Sequence, residues 1–179
     1  MSTRRVATVI VLALIAVGVI AYFASRDNQN GALESSQTVK WYGFNDGMEL
    51  SRQQNKKVLI DVYTDWCGWC KKMEKEVYTD SRVSSALASD FVAIRLNAES
   101  KNTLTFNGEQ IDEATFARAM GVNAYPTTIF LEPGAKPITK VEGYLEPQEF
   151  GTMLAFIGKD YYKTTTYEAF KSSGRATLN

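Results

Sequence analysis

Histidine is absent from all 179 residues, which removes Ser-His-Asp and Cys-His catalysis together with any histidine-ligated metal or haem. Cysteine is nearly absent, since only Cys67 and Cys70 occur. A zinc site needs about four ligands, usually Cys or His, so this pair alone does not build one, and no metal or other cofactor is expected. An excess of charge is missing too: 20 Lys and Arg balance 20 Asp and Glu, and without a basic surplus no nucleic-acid partner is expected. What is present, 45% hydrophobic and 22% charged residues, has the balance of a globular chain and not of a disordered one.

The longest apolar run is Val6 to Ser25, 20 residues without a charge, 17 of them apolar, preceded by Arg4 and Arg5. At roughly 1.5 Å per residue it covers about 30 Å, the thickness of a bilayer core. Residues 1–25 are therefore expected to be an N-terminal transmembrane anchor, with a cleaved signal sequence as the alternative; Val19-Ile20-Ala21 is a passable small-x-small site. Arg4 and Arg5 would stay cytoplasmic. In a bacterium that orientation makes a single-pass inner-membrane protein with its folded part in the periplasm. Residues 26–38 are polar and read as a flexible tether. Residues 39–157 have the size and composition of one domain, and 158–179 form a tail in which Tyr161, Tyr162 and Phe170 are expected to pack a short helix onto it.

Within the domain, helical and strand patterns alternate. Asn45 is expected to cap a helix reaching about Asn55, and Val58 to Tyr63 reads as a strand covered on both faces. Cys67 to about Tyr78 reads as a helix, Asp80 as the cap of another to Ala88, and Phe91 to Leu96 as a second strand. Asn107-Gly108 between short β-prone runs is a hairpin signal. Asp112 should cap a helix ending at Gly121, Thr127 to Leu131 and Ile138 to Val141 should pair through a turn at Pro133-Gly134, and Pro147 should open the last helix. The pattern is α/β: a central mixed sheet with helices on both sides and an inserted hairpin.

The chemistry is concentrated in Trp66-Cys67-Gly68-Trp69-Cys70, after a strand and at the start of a helix. A thiolate is the reactive form of cysteine, and a helix start offers free N–H groups and the positive end of a dipole. Cysteines three apart share a helix face and can close a disulfide. Haem attachment would need a histidine where Lys71 stands, and a structural staple is poorly served by so short a loop. Redox exchange is the reading that remains best supported. Cys67, at the helix start, is expected to be the sulfur open to solvent, and Cys70 to turn toward the sheet.

Over roughly Trp41 to Ile157 the chain resembles the thioredoxin superfamily, in the form found in membrane-anchored or secreted bacterial thioredoxin-related proteins. Four features carry the resemblance: Asp61 six residues ahead of Cys67 in Trp66-Cys67-Gly68-Trp69-Cys70-Lys71; Arg95-Leu96-Asn97; Tyr125-Pro126-Thr127; and Gly143. The family's usual proline between the cysteines is here Trp69. The resemblance implies a Cys67–Cys70 redox-active disulfide, with Cys67 attacking and Cys70 resolving. It implies a cis Pro126 facing the pair, with Tyr125 and Thr127 beside the substrate chain. It also implies that Asp61, a carboxylate in an apolar strand, takes the Cys70 proton; a plain ion pair with Arg95 is the alternative. Arg95 stands where the family often has Lys and cannot shuttle a proton. Trp66 and Trp69 would form an apolar rim for bound protein, with core packing as the other reading of Trp66. The implied function is a monomeric thiol-disulfide oxidoreductase acting on protein thiols or disulfides, served by a membrane or periplasmic redox partner. The alternative is a non-catalytic thioredoxin-like binding module.

Overall fold

A computed structural model describes residues 38–174. The apolar run 6–25 and nearly all of the 26–38 linker lie outside the described residues. No helix among the described residues is long and apolar enough to cross a membrane.

In chain order the elements are β1 (Trp41–Tyr42), α1 (Phe44–Gln54), β2 (Lys57–Tyr63), α2 (Gly68–Glu76), α3 (Ser81–Asp90), β3 (Phe91–Asn97), β4 (Thr103–Phe106), β5 (Glu109–Asp112), α4 (Glu113–Ala119), β6 (Thr127–Leu131), β7 (Pro137–Glu142) and α5 (Pro147–Gly158). A 3₁₀ turn at Tyr161–Lys163 and α6 (Tyr167–Ser172) follow. The main sheet runs β1-β3-β2-β6-β7 and the hairpin β4-β5 stands apart from it. β1 and β2 pair in parallel with β3, whereas β6 is antiparallel to both β2 and β7. The sheet is mixed, as the alternating sequence pattern implies.

β2 occupies the centre, and the pleat divides its residues between two cores. Val58, Ile60 and Val62 pack with Phe44 and Met48 of α1, Phe116 of α4 and Leu104 of the hairpin. Leu59 packs on the opposite face with Met73 of α2, Leu87 of α3 and Phe150 and Leu154 of α5. Asp61 shares the odd register of Leu59, so it enters the face that α2 covers. The tail completes this second core: Phe170 is buried there, its ring 5.4 Å from Phe156 and 4.6 Å from Tyr161.

Local signals set most boundaries. The Asp80 carboxylate accepts the Arg82 and Val83 N–H groups, and Asp112 accepts that of Thr115. Asn107 and Gly108 both have positive φ, 52° and 83°, the backbone a two-residue hairpin needs to match strand twist. Asn45 departs from expectation. The helix begins two residues earlier than an Asn45 cap would place it, with extended Gly43 as its cap and no side-chain bond there, and the freed Asn45 carboxamide oxygen accepts the Thr105 N–H at 2.8 Å. It ties α1 to the hairpin. β1 has only two residues and was not anticipated, because it is defined by parallel pairing with Ala93 and Ile94 and not by a local pattern.

Close packing of α1 on β3 depends on Gly47. A Cβ there would stand 2.4 Å from Ile94 Cγ1 and 3.3 Å from Tyr42 Cβ, and Ile94 is itself fully buried. Although alanine is the better helix former, Gly47→Ala should lower the unfolding free energy by about 1–3 kcal/mol. Urea denaturation with an unchanged m-value checks this; a stabilised variant would mean that the helix can lift off the sheet freely.

Candidate active site

After Tyr63 the chain leaves the sheet in a turn closed by the Cys67 N–H donating to the Thr64 carbonyl at 3.1 Å. Cys67 is the cap residue of α2, with extended φ and ψ of −69° and 104°, and its sulfur accepts the Cys70 N–H at 3.0 Å. The first turn of α2 contains no acidic residue, so no carboxylate within it offsets the positive end of the helix dipole. Cys67 and Cys70 are joined in a disulfide with Cα atoms 5.3 Å apart. Sequence reasoning left Cys67 open to solvent; in this disulfide only 3% of it is exposed, against 4% of Cys70. The bridge and the Cys70 N–H hold the Cys67 sulfur inside the first helical turn.

Two loops flank the turn. The Tyr125–Pro126 peptide is cis, Pro126 is buried, and its carbonyl accepts the Gly143 N–H at 2.7 Å. Tyr125 is half-buried and its ring meets that of Trp66 edge-on at 5.8 Å and 83°, which brings this loop beside the cysteines. Gly143, with φ of 88°, turns the chain toward Tyr144, whose ring lies 5.6 Å from Trp69. Trp66 and Trp69 are 66% and 58% exposed, which places Trp66 on the rim and not in the core. Thr127 is fully buried and its hydroxyl donates to the Ala124 carbonyl at 2.7 Å; it shapes the loop from behind.

Under α2 lies a buried polar cluster. Asp61 is 2% exposed, one carboxylate oxygen is 3.4 Å from Arg95 Nε, and the other has no hydrogen-bond partner. Burial, only partly offset by the Arg95 charge, pushes its pKa up to about 6. Arg95 is shared: it also reaches Glu74 of α2 at 2.9 Å and sits over the rings of Tyr63 and Trp41. The ion pair with Arg95 is therefore present but too weak to overcome desolvation. Tyr78 completes the cluster; burial first, then the neighbouring Asp61 charge, raises its phenol well above its usual value.

Glu74, Tyr78, Glu99 and Tyr144 were not singled out from the sequence. Cys67, Cys70 and Glu74 follow the i, i+3, i+7 spacing of one helix face, a signal that could have revealed Glu74. The other three touch the site through contacts with distant segments. Among the described residues, no group of three or more His, Cys, Asp or Glu is placed to hold a metal.

Comparison with known proteins agrees with this geometry. The thiol:disulfide interchange protein DsbD of Actinobacillus pleuropneumoniae is 35% identical over 104 residues, 57% of this chain and 16% of that protein. The DsbD of Escherichia coli O157:H7 is 26% identical over 155 residues, 82% of this chain and 26% of that one. The chain thus spans about a quarter or less of the length of these relatives. Among solved structures, a thioredoxin-fold protein from Helicobacter pylori superposes with a TM-score of 0.59 at 16% identity, covering 82% of this chain and 97% of that one, a likeness of fold. The thioredoxin-like domain family matches residues 44–158, and with the cysteine pair at the head of α2, the cis proline beside it and the mixed sheet beneath, the chain belongs to the thioredoxin superfamily.

Proposed function

We propose that the protein is a thiol-disulfide oxidoreductase that exchanges disulfides with protein substrates on the periplasmic side of a bacterial inner membrane. The observation that carries the chemistry is the Cys67–Cys70 disulfide, with Cys67 capping a helix whose first turn lacks acidic residues. Relatives described as thiol:disulfide interchange proteins support the reaction class.

In the reducing direction, the Cys67 thiolate attacks a substrate disulfide, forms a mixed disulfide and releases one substrate thiolate. Cys70 passes its proton to Asp61, and its thiolate then attacks Cys67 Sγ. That step closes the Cys67–Cys70 disulfide and releases the second substrate thiolate. Two electrons leave the dithiol and reduce the substrate; a membrane or periplasmic reductant restores the pair. Asp61 suits the proton step because burial holds its pKa up to about 6, near the pH at which it must both accept and return a proton. The alternative, a binding module with idle cysteines, is tested by insulin reduction with dithiothreitol. Acceleration by the wild-type chain supports exchange, and none at any pH would favour the binding module.

The two sulfurs should differ. Cys70→Ser leaves the attacking thiol without its resolver and should accumulate disulfide-linked protein partners on a non-reducing gel, whereas Cys67→Ser should trap few. Equal trapping by both would reverse or erase the assignment.

Asp61 gives a pH signature. Its carboxyl ordinarily titrates near 3.8, and burial pushes it up to about 6 in the folded chain. Between those values the folded state holds more of the proton, so stability falls as pH rises, on the order of 2–3 kcal/mol in total. Asp61→Asn should remove that slope, leave the fold more stable at pH 7 and slow exchange. Denaturation and exchange rates measured from pH 4 to 8 check both; an unchanged rate with lower stability would make Asp61 only a structural partner of Arg95.

Location follows from the 6–25 run and Arg4-Arg5. The full-length chain should sediment with membranes and be digested when protease is added to spheroplasts. A protected domain would reverse the orientation, and a soluble form beginning near residue 22 would replace the anchor with a cleaved signal.

A further inference from the structure

Tyr78 lies in the segment between α2 and α3 and is 4% exposed. Its ring meets that of Trp41 edge-on at 4.8 Å and that of Phe150 at 5.8 Å, contacts that a phenylalanine would make equally well. The hydroxyl is what sets it apart. Burying a hydroxyl without a partner is unfavourable, yet the Tyr78 oxygen has no hydrogen-bond partner in this structure. Its neighbour is Asp61, close enough for the phenol to act on the carboxylate by hydrogen bonding. Asp61 Oδ1 is likewise unpartnered. A donor without an acceptor and an acceptor without a donor thus stand side by side on the face of the sheet that α2 covers.

The other groups around Asp61 leave this gap open. Arg95 Nε on β3 is 3.4 Å from the second oxygen, Oδ2, but makes no hydrogen bond, and its other nitrogens go to Glu74 of α2. Glu74 is itself an anion, and its charge opposes ionisation of Asp61. Tyr63 lies on the same strand with its ring against Arg95. On β6 the register partner of Asp61 is the neutral Thr128.

We propose that Tyr78 is a positioning residue for the resolving step: its hydroxyl donates to the charged Asp61 carboxylate and keeps Asp61 available, near neutral pH, to take the proton of Cys70. This rests on the exchange function above. A phenol O–H turns about its C–O bond, so the donor follows the charge, engaging the ionised carboxylate and releasing it once the Cys70 proton has arrived. The phenol keeps its own proton throughout, because burial first, and then the Asp61 charge, raises it well above its ordinary value. Only the Cys70 proton moves, and the Cys70 thiolate attacks Cys67 Sγ as before. A donor to the charged form favours that form. Without it, burial would hold Asp61 protonated to higher pH.

The test mixes the reduced full chain, in detergent, with insulin in stopped flow. Closure of the Cys67–Cys70 disulfide is followed by tryptophan fluorescence, and the phase independent of insulin concentration is resolution. From pH 5 to 9 that phase should rise through a midpoint set by Asp61. Tyr78→Phe should move the midpoint up by at least about 0.5 pH unit, slowing resolution about threefold or more at the acid end and converging on wild type at the alkaline end. The ¹³C titration of the Asp61 carboxyl in the reduced chain should move the same way. In an Asp61→Asn background, Tyr78→Phe should change resolution by less than about twofold. An unmoved or lowered midpoint, equal slowing at every pH, or an effect undiminished in Asp61→Asn overturns the proposal. If Asp61→Asn abolishes the midpoint while Tyr78→Phe leaves it in place, only this inference falls. If the midpoint survives Asp61→Asn, Asp61 is not the acceptor and Tyr78 falls with it. If insulin closes no disulfide in the wild-type chain, the exchange function itself falls.

Discussion

β2 is hydrogen-bonded along both edges and covered on both faces, and the positions of the other parts follow from that confinement. A strand so enclosed has no freedom to shift register, because a slip of one residue would turn Leu59 and Asp61 into the opposite core. The point where it leaves the sheet is therefore fixed, and with it the turn that starts α2 at Cys67. The hairpin and tail insert around this axis without disturbing it. The site is precise because it stands at the end of a strand held on both edges and both faces.

That same confinement makes Asp61 costly. Most buried carboxylates are stabilised by a close charge or by backbone donors. Here one oxygen has a single guanidinium at 3.4 Å and the other has no bond, while Arg95 is turned partly toward Glu74. An apolar residue would serve the fold better. This under-compensated carboxylate, on the face of the sheet that α2 covers, is the feature on which the proposed proton step rests.

The sequence announced what depends on near neighbours. Asp80, Asp112, Asn107-Gly108 and Pro147 each act within about four residues of themselves, and each marks its boundary correctly. The pair at Cys67 and Cys70 was legible for the same reason. Legibility failed where a group answers to a distant partner: Asn45 bonds to Thr105, Trp66 to Glu99, and Tyr144 to Glu76, 60, 33 and 68 positions away. The exposure of Cys67 was misjudged: it is 3% exposed in the disulfide. The apolar run at 6–25 lies outside the described residues, so its reading rests on composition alone.

Lys57, the first residue of β2, reaches the tail through the Gly158 carbonyl and Asp160, whereas the last residue of the strand leads into the cysteines. At about 3.3 Å per residue these ends lie roughly 20 Å apart. The tail and the redox centre are thus the two poles of a single rigid rod. Shortening, tagging or partner binding at the tail pole therefore acts on the seating of β2 and on the core that Phe170 shares with Met73 of α2.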